Sequence, residues 1–204
     1  LFVNDSVFIL AMPFYYFMPW MILSASALIC EPLEQSIKNS YVKDAKHILA
    51  QRDDLIKIGI TGSYGKTSVK HILHTLLSEE YYTYMTPHSY NNLMGLTISI
   101  RTQLNSLHQV MIAEMGADHV GEIDDLACFI KPSIAIITAV GPQHLSTFHT
   151  QENILNEKMR LIERLPFHGT AVLNYDNAYI RSYPISHFVK RITYGIHYED
   201  ADVR

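Results

Sequence analysis

The chain opens with an apolar stretch that is followed by a polar one. Residues 7–30 contain no charged side chain over 24 positions, and they include Pro13 and Pro19. Because ~20 apolar residues span a bilayer as a helix, we predict a transmembrane segment within residues 1–30. The two prolines either kink a single span or mark the turn between two truncated spans, and a buried helix of a soluble protein is the alternative to both. Residues 31–54 are polar and mostly helix-forming, which indicates a juxtamembrane connector.

From residue 55 to residue 204, short apolar runs alternate with segments whose apolar side chains recur at helical spacing. The apolar runs predict strands at 55–60, 82–85, 109–114, 133–140, 170–174 and 191–194. The periodic segments predict helices at 69–77, 95–107, 122–130 and 151–165, the last with Thr150 as its N-cap. This alternation is typical of an α/β domain with a mostly parallel sheet and helices on both faces. Ligands of such sheets bind at the carboxyl ends of the strands.

A glycine-rich turn, TGSYGKTS, joins the first predicted strand to the first predicted helix. The standard P-loop has a glycine at position 60, where this chain has Ile60, with Gly59 one place away. Free backbone N–H groups and a helix N-terminus at such a turn attract an anion. An ordinary strand-to-helix turn is the alternative. We predict nucleotide phosphate binding of the P-loop type by the eight residues of the turn: Thr61, Gly62, Ser63, Tyr64, Gly65, Lys66, Thr67 and Ser68.

Within this turn, Lys66 is predicted to reach the terminal phosphates, and Thr67 to place its hydroxyl on Mg²⁺. Two more polar side chains follow other predicted strands, namely Glu114 and His144. Because the carboxyl ends of parallel strands meet at one edge, we expect these side chains to lie beside the glycine turn. A carboxylate there can hold the Mg²⁺ of ATP, and a neutral imidazole is a possible metal ligand. A strand-end acid that faces water and a bystander histidine are the alternatives.

Lys158 lies within the apolar stripe of the predicted helix 151–165. The positions three and four residues away are all apolar: Ile154, Leu155, Leu161 and Ile162. Burial lowers the pKa of an amine toward its neutral form. A neutral amine reacts with CO₂ to form a carbamate, which is an anionic oxygen ligand for Mg²⁺. In the alternative interpretation, the stem lies along the stripe and the ammonium group reaches water.

Composition narrows the classes of partner and compartment. The net charge is −4 and no basic block occurs, so nucleic acid is not an expected partner. Cys30 and Cys128 form no CxxC pair, which argues against a disulfide scaffold or zinc site and agrees with a reducing compartment. Four basic side chains follow the apolar segment at positions 38–52, whereas only Asp5 precedes it. The positive-inside rule therefore predicts a membrane-associated protein whose catalytic domain lies on the cytoplasmic side.

Six separated motifs occur in order along the chain: TGSYGKTS, YNNLMG, EMGADHVGEI, KPSIAIITAVGPQHL, ENILNEK and AVLNYDN. Together they resemble the central ATPase domain of the Mur ligases. The similarity is greatest to the MurF branch, which adds D-alanyl-D-alanine to a muramyl tripeptide. The resemblance covers residues 55–200, so we interpret residues 55–204 as a Mur-ligase-like ATP-binding domain.

The resemblance implies a role for each matching position. Lys66 would hold the β- and γ-phosphates of ATP, and Thr67 and Glu114 would bind one Mg²⁺. His144 and a carbamylated Lys158 would serve a second Mg²⁺ near the carboxylate that is activated.

Other matching positions lie near the nucleotide in the family. One of Asn91 and Asn92 would contact the phosphates, and Asn174 and Asp176 match a motif beside the nucleotide. In the family mechanism, a substrate carboxylate attacks the γ-phosphate to give an acyl phosphate, and an amine then displaces phosphate to form an amide.

Three departures from the family leave the substrates more open than the ATP chemistry. An apolar segment stands where the family has a domain that binds the UDP-sugar, the C-terminal domain is absent after Arg204, and Arg160 stands where the family often has Glu. The acceptor is thus a small-molecule or lipid-linked muramyl peptide, and the amine an amino acid or dipeptide. A P-loop phosphotransferase or NTPase is one alternative function. A membrane-tethered, non-catalytic nucleotide-binding module is another.

Overall fold

The structure is a computed structural model that describes residues 5–185 and 189–204. The chain divides into two compact units, Leu1–Tyr41 and Val42–Arg204. The first four residues of the predicted membrane segment lie outside the described residues.

A single long helix, α1 (Asp5–Ala50), accounts for the described part of the first unit and enters the second. Pro13, Pro19 and Pro32 all lie inside this helix, so the alternative of two truncated spans separated by a turn is wrong. From Met12 onward α1 is long and apolar enough, by length and composition alone, for one membrane crossing. Large apolar side chains of this stretch are exposed to solvent, with Phe14 71% and Trp20 70% accessible.

The second unit is built on a six-stranded sheet. Its strands are β1 (Ile56–Thr61), β2 (Thr83–Met85), β3 (Val110–Glu114), β4 (Ile134–Ile137), β5 (Thr170–Asn174) and β6 (Lys190–Tyr194). Every neighbouring pair is parallel, in the order β2-β3-β1-β4-β5-β6. The predicted α/β fold is confirmed, and the sheet is wholly parallel. Because β1 lies between β3 and β4, the strand order reverses there, and a crevice forms at the carboxyl end of β1.

Within the described residues, six further helices connect the strands: α2 (Lys66–Leu77), α3 (Leu93–Gln103), α4 (Glu122–Ile130), α5 (Leu145–Phe148), α6 (Gln151–Glu163) and α7 (Ala178–Ser182). The bounds predicted for α4 are confirmed, and so is Thr150 as the N-cap of α6, where its side chain accepts from the Asn153 N–H at 3.1 Å. Helix α3 begins two residues earlier than predicted because Asn92 caps it, accepting from the Gly95 N–H at 2.8 Å. The sequence did not predict α5 and α7, which have four and five residues and are too short to show a helical period.

Alternating side chains of the strands build one core on each face of the sheet. On one face, Ile58, Ile60 and Ile112 are buried with Val69 and Leu73 of α2 packed against them. The other face belongs to a larger cluster that includes apolar residues of α3, α4 and α6. Residues 42–50 of α1 join this second core, because Ala45 is fully buried and Leu49 is 3% exposed. The compact unit thus begins at Val42, ahead of the domain start predicted at residue 55.

Candidate active site

The glycine turn leaves β1 at the carboxyl edge of the sheet and enters α2. Gly62 has φ +150° and Gly65 has φ +81°, values that L side chains rarely adopt. A Cβ at Gly62 would lie 2.1 Å from the Thr138 Oγ1, so a side chain there would force the turn away from the end of β4. Among the described residues no side chain caps α2, which leaves its N-terminal N–H groups available to an anion.

The hydroxyl groups of three side chains of the turn hold it in place. The Thr61 hydroxyl is buried and donates to the Met115 carbonyl at 2.9 Å. The Ser63 hydroxyl donates to the Gly141 carbonyl at 3.0 Å and accepts from the Gly141 N–H at 3.1 Å. The Tyr64 hydroxyl donates to the carbonyl of residue 142 at 3.1 Å. The backbone N–H of Ser63 also donates to the carbonyl of residue 139 at 2.7 Å, so both backbone and side chains of the turn fix it against the loop that follows β4.

Lys66 is the first residue of α2, and its ammonium group lies over the turn. The Lys66 Nζ donates to the Gly62 carbonyl at 2.6 Å. Burial lowers the pKa of Lys66, and the charges of Glu114 and Asp118 oppose that shift. A polyphosphate seated on the turn would therefore meet both the free N–H groups and this amine.

Glu114 ends β3 and is almost fully buried, at 1% exposed. Its Oε2 accepts from the Thr67 hydroxyl at 3.0 Å and lies 3.0 Å from the Lys70 Nζ, while its Oε1 accepts from the Asn91 amide at 3.3 Å. The hydroxyl and carboxylate oxygens of Thr67 and Glu114 are the hard ligands that Mg²⁺ prefers. The sequence interpretation missed Lys70, although its position three residues after Thr67 places both on one face of α2.

His144 and Lys158 approach the same region from the elements that follow β4. The His144 Nε2 lies 3.3 Å from the Asp118 Oδ1, a partner that the sequence interpretation did not include. The Lys158 side chain is 2% exposed, which agrees with the burial interpretation and not with the one in which its ammonium group reaches water, and its Nζ lies 3.5 Å from the Ala117 carbonyl. Burial lowers the pKa of Lys158 to about 8, and the positive charge of Lys66 acts in the same direction. A substantial fraction of this amine is therefore neutral near pH 8.

A cavity of about 260 Å³ collects five of the predicted site residues. Its lining comes from the glycine turn and from the segments that follow β2, β3 and β4: Lys66, Asn91, Asn92, Gly116, Ala117, Asp118, Glu122, Gln143, His144 and Lys158. Thr67 and Glu114 are connected to it through the Asn91 amide. Within residues 5–185 and 189–204, no three His, Cys, Asp or Glu side chains form a ready metal cluster. Mg²⁺ does not require one, since it usually keeps several waters and one or two protein ligands.

Asn174 and Asp176 are not part of this cavity lining. The Asn174 amide donates to the Thr138 carbonyl at 2.8 Å, beside the glycine turn. The Asp176 carboxylate accepts from the backbone N–H groups of Ile196, His197 and Tyr198 at 2.7 to 2.9 Å. These bonds lower the pKa of the Asp176 carboxyl, and they fix the loop that follows β6. Ser68 is exposed on the outer side of the first turn of α2.

Most of the chain matches the model of a known protein family. Residues 60–204 match the family model of the Mur ligase middle domain. The chain belongs to the Mur ligase family. The family resemblance seen in the sequence is thereby confirmed.

Two curated relatives of this Mur ligase domain are UDP-N-acetylmuramoyl-tripeptide–D-alanyl-D-alanine ligases. The protein from Synechocystis is 34% identical over 85% of this chain and 39% of its own length. The protein from Rickettsia prowazekii is 32% identical over 69% of this chain and 32% of its own length. The Mur ligase chain described here therefore spans only about a third of the length of these relatives.

Solved structures agree with the family assignment. The MurF ligase from Thermotoga maritima, crystallised in complex with ADP, is 29% identical and superposes with a TM-score of 0.72 over 78% of this chain and 36% of its own. A crystal structure of MurF from Acinetobacter baumannii is 26% identical, with a TM-score of 0.71 over 81% of this chain and 35% of its own. The six-stranded parallel sheet is therefore the fold of the Mur ligase central domain.

Proposed function

We propose that this chain is the ATP-binding part of a ligase that joins D-alanyl-D-alanine to a UDP-linked muramyl tripeptide. The reaction and both substrates are those after which the two relatives are named. The observation that carries the proposal is the gathering of Lys66, His144 and Lys158 around one cavity, next to the paired Thr67 and Glu114.

The residues at the glycine turn fit a magnesium-bound triphosphate. The cradle at Gly62 and Gly65 admits no side chain without strain, and the free N–H groups of α2 face the same edge. Lys66 would neutralise the terminal phosphates, and Thr67 with Glu114 would supply oxygen ligands to one Mg²⁺. ATP supplies the phosphoryl group that activates the substrate carboxylate. The protein's part is to position these groups and to compensate negative charge.

Lys158 would take part as its carbamate. The neutral amine adds to CO₂, a C–N bond forms, one proton is released, and the product is an anionic carboxylate on nitrogen. This anion, together with the His144 imidazole held by Asp118, would serve a second Mg²⁺ beside the reacting carboxylate. The lowered pKa of Lys158 and the opening of its surroundings into the cavity support this role.

A test of the proposed function measures phosphate release from ATP by the gene product that contains this chain. We expect release only when both the muramyl tripeptide and D-alanyl-D-alanine are present, and a ~100-fold or greater loss in Lys66→Ala because a charge on the phosphates is removed. Lys190→Ala, which removes an exposed lysine of β6, is the matched control and should retain full activity.

The pattern of substrate dependence separates the alternatives. Phosphate release without an amine would favour an NTPase or phosphotransferase, and nucleotide binding without any turnover would favour a non-catalytic module. Parallel assays with soluble UDP-linked and with lipid-linked tripeptide identify the acceptor.

We further propose that residues 7–30 attach the protein to a membrane, with the ATP-binding domain on the cytoplasmic side. The length and apolar composition of α1, its exposed aromatic side chains and the basic residues that follow support this location. We expect the intact chain to stay in the membrane fraction after carbonate extraction, and a variant lacking residues 1–30 to become extractable. A fluorescent protein fused after Arg204, which matures only in the cytoplasm, should report the side. Extraction of the intact chain by carbonate would contradict the proposal.

A further inference from the structure

Lys70 is a fully buried charged side chain to which the proposed chemistry gives no role. It is 0% exposed and ranks among the largest fully buried side chains of the described chain. Its Nζ lies 3.0 Å from the Glu114 Oε2 and donates to the His88 carbonyl at 2.5 Å. A lysine is rarely buried unless it is paired, so the ion pair with Glu114 accounts for its position.

The same ammonium group connects three elements at the edge of the site. It is carried by α2, pairs with the end of β3 and binds the backbone of residue 88, which has a left-handed φ of 45°. The loop from residue 86 to residue 92 also carries Asn91, whose amide donates to the other Glu114 oxygen. Lys70 therefore holds both the carboxylate and the loop that reaches the cavity.

The ion pair between Lys70 and Glu114 lowers the net negative charge that a metal ion would meet at Glu114. Within the described residues, Glu114 is the carboxylate in contact with Thr67, and its charge is already balanced by Lys70 at 3.0 Å. Lys66 adds positive charge at the cavity. A bare divalent cation gains little at a carboxylate that is already neutralised, whereas a cation bound to a triphosphate arrives with compensating negative charge.

We propose that Lys70 is a positioning residue that makes the Glu114 site take a divalent cation together with a nucleoside triphosphate and reject the cation alone. This inference rests on the nucleotide site of the proposed function, but it does not depend on ligation. It implies strong reciprocal coupling, because the nucleotide raises the affinity for the cation by the same factor as the cation raises the affinity for the nucleotide.

The experiment measures the Mn²⁺ retained with the whole chain in detergent on equilibrium dialysis, with and without ATP, so that Mn²⁺–ATP formed free in solution is not counted as bound. In the wild type we expect ATP to tighten Mn²⁺ binding at least 100-fold. In Lys70→Met, which keeps the aliphatic stem, we expect Mn²⁺ without ATP to bind at least tenfold more tightly than in the wild type. The double variant Lys70→Met/Glu114→Gln should lose this gain, and Lys190→Met, an exposed control, should match the wild type.

The outcomes separate this inference from the proposed function. A merely structural role for Lys70 predicts weaker Mn²⁺ binding in Lys70→Met both with and without ATP, and that result would overturn the inference. If Lys70→Met does not fold, the wild type decides. Tight Mn²⁺ binding to the wild type without ATP that disappears in Glu114→Gln overturns the inference. The absence of tight Mn²⁺ binding without ATP, together with a strong tightening by ATP, supports it. No Mn²⁺ binding even with ATP would instead reject the nucleotide site on which both proposals depend.

Discussion

Lys158→Met is expected to raise the free energy of unfolding at pH 7 by about 3 kcal/mol while it abolishes ligase activity. The side chain is 2% exposed, and its pKa lies near 8, below the ordinary value of 10.5. The folded state holds the Lys158 proton less tightly than the unfolded state, so burial of the charged amine lowers the free energy of unfolding of the wild type. This destabilisation is fully present below pH 8 and is lost as the pH rises from 8 to 10.5. Urea denaturation in CO₂-depleted buffer at pH 7 and pH 10 measures the difference, which should shrink strongly at the higher pH.

Although Lys158→Met should raise stability, the same substitution should lower activity. Under the proposed function, loss of the amine removes the proposed carbamate, so phosphate release should fall at least ~10³-fold, as expected for the loss of a ligand at a charge-stabilising metal. Acetate, a small carboxylate, should restore part of the activity in Lys158→Ala, where space is left for it. Lys190→Met is the control for removing a lysine from an exposed site. A Lys158→Met protein that is less stable than the wild type at pH 7, or that remains active, would contradict the assignment.

Gly62→Ala is expected to destabilise the domain by about 3 kcal/mol or more and to weaken nucleotide binding at least tenfold, because strain and a clash coincide there. The added Cβ would lie 2.1 Å from the Thr138 Oγ1 and 2.9 Å from the carbonyl of residue 139, at a φ of +150°. The contacted backbone cannot yield as the end of a flexible side chain can. Chemical denaturation and titration with a fluorescent ATP analogue measure the two effects.

Gly121 provides a matched control for the strain alone. It has φ +99° with nothing within 4 Å of an added Cβ. Alanine at Gly121 should cost only the ~1–2 kcal/mol of a left-handed backbone and leave nucleotide binding unchanged. Equal losses in Gly62→Ala and Gly121→Ala would show that the contact with Thr138 has no importance.

Local spacing predicted the features that depend on neighbours in the chain. The apolar residues three and four positions from Lys158 placed it in the apolar stripe of its helix, and the bounds of α4 followed from its helical period. The glycine turn was recognisable because a strand, two glycines and a helix follow one another directly.

Features that depend on distant pairing were not predictable in this way. The ion pair of Lys70 joins α2 to the end of β3, 44 positions later, and no local hydrophobic period predicts it. The carboxylate of Asp176 accepts from backbone N–H groups about 20 positions later, in a loop for which the sequence predicted no structure. Likewise, the Ser63 hydroxyl meets residue 141 only because β1 and β4 are adjacent in the sheet.

The position of β1 in the sheet determines how long this strand stays unpaired during translation. Its ladder partners begin at Val110 and Ile134, so the first of them is made 54 residues after Ile56. At about 5–20 residues per second, the ribosome needs roughly 3 to 11 seconds to supply that first partner. During this interval an apolar strand leaves the exit tunnel with its edge unpaired, so the nascent polypeptide is more exposed to aggregation than the finished protein and is a natural client for a chaperone.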